Sequence, residues 1–212
     1  MKKFILISPK NRSAYNFRGD LIKGIQKKGY DVVVTGPNKE GIDRIEALGA
    51  KFIEVPVNKN GLNPFADIAY CLNLRRIMKQ EKADAVMGYT IKPVIYGSIA
   101  GWLAGVKKRT AMVTGAGYLF ASKSLKARII RLISFVLYRI GLGAAQKVIF
   151  QNVDDLNEFV TNGLVKKEKC HVVNGSGVNM TKFTPSDYPK IPTFFFLGRL
   201  VNAKGGMDFV KA

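Results

Sequence analysis

Ala83-Asp84-Ala85-Val86-Met87-Gly88, then Tyr89-Thr90-Ile91-Lys92, then Pro93-Val94-Ile95-Tyr96-Gly97-Ser98-Ile99-Ala100-Gly101-Trp102-Leu103-Ala104-Gly105 carry the fold in one passage. The first run is apolar without alternation, as in a strand covered on both faces. Pro93 suits the first turn of a helix and Gly105 suits its end, predicting a helix over Pro93–Ala104. Lys107–Thr114 then returns to strand character. Strand, helix and strand in this order form the crossover unit of a parallel sheet.

The same alternation continues in both directions. Toward the N-terminus, strands are predicted at Lys3–Ser8, Asp31–Thr35 and Lys51–Val55, with helices at Phe17–Lys28, Lys39–Leu48 and Pro64–Lys82. The first of these helices sets Leu21, Ile22 and Ile25 on one face and Lys23, Lys27 and Lys28 on the other. Toward the C-terminus, helices at Lys123–Gly141 and Asp154–Thr161 alternate with strands at Lys147–Gln151 and Lys169–Val173. The pattern predicts an α/β protein with a Rossmann-like, doubly wound parallel sheet. Ligands of such sheets bind beyond the carboxyl ends of the strands. The loops of interest are therefore Pro9–Asn16, Tyr89–Lys92, Gly115–Ser122 and Asn152. No internal repeat or low-complexity tract interrupts the pattern.

From Gly175 onward the composition changes. Gly175, Gly177, Pro185, Pro189 and Pro192 mark residues 175–192 as an interdomain linker after a domain spanning 1–174. Phe194-Phe195-Phe196-Leu197-Gly198-Arg199-Leu200-Val201-Asn202-Ala203-Lys204-Gly205-Gly206 then reads as strand, phosphate-competent loop and helix start. Residues 193–212 are expected to be the truncated start of a second Rossmann-like domain, mobile or loosely docked because an unclosed unit cannot pair its strand.

The 212 residues hold 34 Lys and Arg against 15 Asp and Glu, a net charge of +19. Such a surplus implies an anionic partner, whether nucleic acid, an anionic bilayer or a phosphorylated substrate. Hydrophobic content of 47% and mean hydropathy of +0.03 indicate a globular protein. Cys71 and Cys170 have no metal or redox spacing and read as buried free thiols. Phe4-Ile5-Leu6-Ile7 is shorter than the roughly 7–15 apolar residues of a secretory signal. No window reaches the roughly 18 apolar residues of a membrane span. A dinucleotide fingerprint does not follow the first strand, where Ser8-Pro9-Lys10-Asn11-Arg12-Ser13 stands.

Five segments in order resemble the family-four retaining nucleotide-sugar glycosyltransferases, which have the GT-B fold of two facing Rossmann-like domains. They are Asn16-Phe17-Arg18-Gly19; Thr90-Ile91-Lys92-Pro93 with Ile95-Tyr96-Gly97-Ser98; Thr114-Gly115-Ala116-Gly117-Tyr118; Gly175-Ser176-Gly177-Val178-Asn179 with Phe183-Thr184-Pro185; and Leu197-Gly198-Arg199-Leu200 with Lys204-Gly205. The likeness is to bacterial members that extend capsule, O-antigen or lipid-linked oligosaccharides. It implies an acceptor-binding N-terminal domain and a C-terminal domain for the nucleotide-sugar, with no metal cofactor. Arg199 and Lys204 match the family's basic pair on the donor diphosphate, where cations neutralise the leaving group. Arg12, Asn16, Arg18, Thr90, Lys92, Gly115, Gly117 and Tyr118 fall at the expected acceptor cleft. Arg12, Arg18 and Lys92 suit an acceptor diphosphate. The glycines permit close backbone approach.

Two departures qualify the resemblance. Many relatives carry a His after the fourth strand, where this chain has Met87-Gly88-Tyr89-Thr90, and His171 falls in a predicted strand as a packed residue. No catalytic base is assigned. The family's late acidic motif, which contacts the donor, would lie past Ala212. The resemblance thus implies a transferase whose donor site is largely missing from these residues. The alternative is an inactive remnant that still holds acceptor or membrane. A nucleic-acid binder rests on charge alone, with no recognition helix, and no nucleic-acid partner is expected.

The helix Lys123–Gly141 is unusual. Ile129, Ile130, Ile133, Val136, Leu137 and Ile140 form an apolar stripe read as its core face. Arg128, Arg131 and Arg139 with Phe135 and Tyr138 occupy the opposite side. Cations interleaved with aromatics suit an anionic bilayer. A protein placed peripherally on the cytoplasmic membrane face is the expectation.

Overall fold

The computed structural model describes residues 1–58, 63–115, 125–198, 200 and 204–212. They divide into two compact units, Met1–Gly177 and Val178–Ala212. The first is built on one seven-stranded sheet. Its strands are β1 (Lys2–Ile7), β2 (Tyr30–Gly36), β3 (Lys51–Glu54), β4 (Ala85–Tyr89), β5 (Lys108–Val113), β6 (Lys147–Phe150) and β7 (Cys170–Val172). Every pairing is parallel, in the order β3-β2-β1-β4-β5-β6-β7. Central Ile5 pairs with Val33 on one side and Val86 on the other. All five residues of β4 are buried, which explains its unbroken apolar character.

Strand order reverses between β1 and β4. Right-handed crossovers therefore put the first helices on one face and the later ones on the other. α1 (Asn11–Lys27) and α2 (Ile42–Glu46) cover the face that carries Leu6, Val32, Val34 and Met87. α3 (Pro64–Gln80), α4 (Ile91–Leu103), α5 (Leu125–Ala144) and α6 (Val153–Thr161) cover the opposite face, over Ile5, Ile7, Val86, Ala111 and Phe150. The crevice expected from such a reversal lies at the carboxyl ends of β1 and β4.

Several boundaries differ from those predicted. α1 begins at Asn11 rather than Phe17, so Asn16-Phe17-Arg18-Gly19 lies inside a helix instead of opening one. The start has no side-chain cap and is held by local hydroxyl contacts together with a tertiary one. The Ser8 and Ser13 hydroxyls both donate to the Lys10 carbonyl, at 2.7 and 2.8 Å. Buried Asn11 donates to the carbonyls of Asn38 and Glu40, at 2.8 and 2.7 Å. α2 contracts to five residues because Gly41 enters it at φ +67. His171 is exposed on edge strand β7, not packed. Cys71 is buried, Cys170 is half-buried, and both are free.

The largest correction concerns α5, where Phe135 and Tyr138 turn inward and part of the aliphatic stripe turns outward, while Leu137 packs on the core and Arg128 and Arg139 stay exposed as expected. Tyr138 is 1% exposed and meets Phe159 edge to face at 5.0 Å. Phe135 packs on the same cluster. Ile129, Ile133, Val136 and Ile140, read as the core stripe, are 52–55% exposed. The cause is Gly141. A Cβ there would lie 2.7 Å from Ile95 Cα, so α4 and α5 approach backbone to backbone along the Tyr138–Gly141–Leu142 side. A wheel weighted by side-chain hydrophobicity overlooks a contact made by a missing side chain.

The second unit has one helix among its described residues, α7 (Gly206–Lys211). Phe196 packs on Phe209 with ring centroids 5.5 Å apart. Phe194–Leu197 is not a strand, contrary to expectation. An apolar run needs a neighbouring strand to pair with, and the described part of this unit supplies none. Among the described residues no helix is long and apolar enough to cross a membrane.

Candidate functional site

A cavity of about 460 Å³ opens at the carboxyl ends of β1 and β4. Pro9 and Lys10 after β1, Tyr89 and Thr90 at the end of β4, Thr114 after β5 and Gln151 after β6 bring four strand ends to it. Ser13, Phe17 and Arg18 enter from α1, and Ile91, Lys92 and Pro93 from α4. Val57 and Ser176 complete the lining.

Arg18 dominates the electrostatics. It is 6% exposed, stacks over the Tyr89 ring at 5.1 Å, and donates from Nη1 to Ser176 Oγ at 2.9 Å. Gln151 donates to the same Ser176 oxygen at 3.0 Å. No carboxylate among the described residues pairs with Arg18, and its buried Nε has no hydrogen-bond partner. Burial pushes its pKa below the ordinary guanidinium value, yet an Arg keeps its proton in proteins. A buried, uncompensated cation is costly unless a ligand supplies the counter-charge.

Lys92 is held differently. Its Nζ lies 2.5 Å from Asp67 Oδ1, with side chains 11% and 12% exposed. Tyr96 donates to the other carboxylate oxygen at 3.1 Å. Beneath Arg18, the Tyr89 hydroxyl lies 2.5 Å from Ser8 Oγ and 2.8 Å from Ser13 Oγ. Burial raises the Tyr89 pKa. Thr90 caps α4 at φ +67, ψ +171, a region nearly reserved for glycine that signals strain of roughly 1–3 kcal/mol. Just before it, a Cβ on Gly88 would collide with the Pro93 carbonyl, which forces the tight β4–α4 turn.

Of the residues expected at the cleft, the structure brings Arg18, Thr90 and Lys92 together in the lining. Arg12 and Asn16 are exposed on the first turns of α1, outside the lining. Gly115 follows Thr114 with φ +137 and no atom within 4 Å of its would-be Cβ. Gly117, Tyr118 and Arg199 lie outside the described residues. Lys204 belongs to the second unit and is exposed. On α5, Arg128 and Arg139 are exposed and Arg131 half-buried. Sequence reasoning missed Ser8, Asp67 and Gln151; Ser13 and Tyr89 fell in its loops of interest and Ser176 in a resemblance segment, each without a role. A signal existed for Asp67, the lone acid between Pro64 and Gln80.

Comparison with known proteins fits this geometry. The Glycosyl transferase 4-like family model matches residues 5–152. The N,N'-diacetylbacillosaminyl-diphospho-undecaprenol alpha-1,3-N-acetylgalactosaminyltransferase of Campylobacter jejuni is 28% identical over 179 residues, 84% of this chain and 47% of that protein. The chain thus spans about half the length of that relative. A glycosyltransferase from Rickettsia africae superposes with a TM-score of 0.62 at 18% identity, covering 89% of this chain and 46% of that one. Anabaena HepE, solved with UDP and glucose, gives 0.62 at 12% identity, covering 88% and 47%. At these identities the solved structures speak for the fold alone, a Rossmann-like sheet that covers about half of each GT-B chain. With the family model covering most of the sheet and the cavity's strand ends, this chain belongs to the Glycosyl transferase 4-like family.

Proposed function

We propose that the complete protein transfers a sugar, with retention, from a nucleotide-sugar to a lipid-linked diphosphate glycan in bacterial surface-glycan assembly. The observation that carries this reading is Arg18: a buried guanidinium facing a cavity at the strand ends, with no carboxylate partner among the described residues. A diphosphate supplies two anionic groups for such a cation, and a guanidinium recognises phosphate oxygens through paired N–H donors. The Campylobacter relative's name describes an acceptor of this chemistry.

In this reading Arg18 and Lys92 hold the acceptor diphosphate, Arg12 and Asn16 stand at the rim, and Thr90 orients the entry of α4. Gly115, Gly117 and Tyr118 serve the acceptor sugar. Arg199 and Lys204 meet the donor diphosphate from the C-terminal domain. The acceptor hydroxyl oxygen forms the new bond to the anomeric carbon as the bond to the nucleoside diphosphate breaks. The hydroxyl proton passes to the departing phosphate oxygen, and no metal is required. A lipid-linked acceptor places the work at the cytoplasmic membrane surface.

The test is transfer of radiolabelled sugar from a panel of nucleotide-sugars to polyprenyl-diphosphate saccharides by the complete gene product. Arg18→Ala is expected to raise the acceptor KM at least tenfold, as for loss of a charge-assisted contact of about 1.5–3 kcal/mol, with the donor KM unchanged. An equal effect on a water-soluble acceptor lacking phosphate overturns the assignment of Arg18.

A further inference from the structure

The helical layer formed by α3, α4 and α5 is apolar on its outer side as well as its inner side. Phe65 and Ile68 in the first turns of α3 are 84% and 55% exposed. On α5, Ile129, Leu132, Ile133 and Val136 are 55%, 66%, 52% and 53% exposed. Each helix follows a strand whose carboxyl end lines or adjoins the cavity and runs back down the sheet. The first turns of all three therefore lie at the cavity end, where Ile91 and Lys92 open α4.

Charge selects the occupant. The three helices contain one carboxylate, Asp67, which is buried against Lys92. They also carry Arg75, Arg76, Lys79, Arg128, Arg131 and Arg139. An aliphatic and aromatic surface with cations and no exposed acid complements an anionic bilayer, with apolar side chains below the headgroups and cations among them. A second copy of the chain would set these cations against one another.

We propose that this layer is the membrane-docking surface, with Phe65, Ile68, Ile129, Leu132, Ile133 and Val136 entering an anionic bilayer beside the cavity. The proposal rests on the lipid-linked acceptor reading; it keeps the exposed Arg128 and Arg139 of the face expected from sequence and puts aliphatic side chains in place of Phe135 and Tyr138, which are in the core. A polyprenyl chain anchored in that bilayer then brings its diphosphate to Arg18 without leaving the lipid.

Vesicle flotation tests the proposal without needing activity. The complete protein is expected to float with phosphatidylethanolamine–phosphatidylglycerol vesicles and not with phosphatidylcholine alone. Ile129→Gln with Leu132→Gln should cut partitioning by on the order of tenfold or more, given the apolar area each residue buries. Arg128→Glu with Arg139→Glu should abolish the preference for the anionic lipid. Both pairs are exposed, so circular dichroism and Tm should match the parent; Phe65→Gln with Ile68→Gln provides an independent pair. Undiminished flotation of the Gln variants overturns the proposal. So does a dimer of the parent that the same variants dissociate while vesicle binding persists. Flotation lost as expected, with no transfer to any lipid acceptor, would keep this surface and sink the proposed activity.

Discussion

The two helical layers on this sheet obey one folding rule and meet solvent in opposite ways. α1 shows Arg12, Asn16, Lys23 and Lys27 outward and buries Ala14 and Ile22. That is the ordinary amphipathic arrangement. α3 and α5 bury Leu74, Ile77, Tyr138 and Leu142, then repeat the pattern outward with Phe65, Ile68, Leu72, Leu132 and Val136. The inner apolar faces suffice to cover the sheet. The outer ones are not required by the fold, so they report on what the protein touches.

The sharpest break in this comparison comes from the one acid of the apolar layer. Asp67→Asn keeps the shape but strands the Lys92 ammonium beside Tyr96. Removing one partner of a buried pair typically costs about 3–5 kcal/mol, and urea unfolding should show a loss near the lower figure. The double change Asp67→Asn with Lys92→Gln should recover much of it. Asp43→Asn on the polar layer, exposed in the first turn of α2, should cost less than about 1 kcal/mol. Equal losses would mean that the pair is solvated.

Next in size are the glycines. Gly141→Ala drives a methyl into the Ile95 backbone and should destabilise by about 1–3 kcal/mol through overpacking. On the same helix Gly143 meets nothing within 4 Å, nor does Gly24 on α1. Changing either of those to Ala should stabilise by about 0.5–1 kcal/mol through helix propensity. A neutral Gly141→Ala would return α5 to the orientation read from its aliphatic stripe.

Thr90→Gly removes the left-handed strain at the joint between sheet and apolar layer. The relief of roughly 1–3 kcal/mol exceeds the entropic cost of glycine, so a net gain of about 1 kcal/mol is expected in thermal unfolding. Weaker acceptor binding should accompany it, since the loop at the cavity loosens.

Legibility in the sequence followed the same division. The strands were readable because a parallel sheet buries both faces, leaving unbroken runs such as Ala-Val-Met-Gly-Tyr. Their carboxyl ends located the site, and Arg18, Thr90 and Lys92 fell there. Tyr89, Ser8 and Asp67 did not stand out, because each is defined by a partner more than twenty residues away. The face of α5 was misread because Gly141 acts by absence. The start of α1 was misread because Asn11 is fixed by carbonyls of the β2–α2 loop, which no local motif announces.

The smallest expected effect lies at the end of the sheet away from the cavity. Glu81, just after α3, accepts from Lys3 at 2.7 Å and from Lys51 at 2.6 Å, tying the apolar layer to β1 and β3. The hydrogen bond from Lys3, then that from Lys51, holds its carboxyl below the ordinary value. A carboxylate with a depressed folded pKa adds stability that is present above its unfolded pKa and lost as pH falls through the folded one. Lys3, raised chiefly by the same bond, loses its share only in strong alkali, as pH rises through its folded value. The Tm should therefore fall on acidification below the usual carboxylate range, and Glu81→Gln should flatten that limb. Because Arg18 and Lys92 stand at the other end of the strands, anion binding at the cavity should not follow this carboxylate. A phosphate-dependent rise in Tm that survives in Glu81→Gln would separate the strap from the site. A rise lost in that variant would show that the two ends of the sheet are coupled.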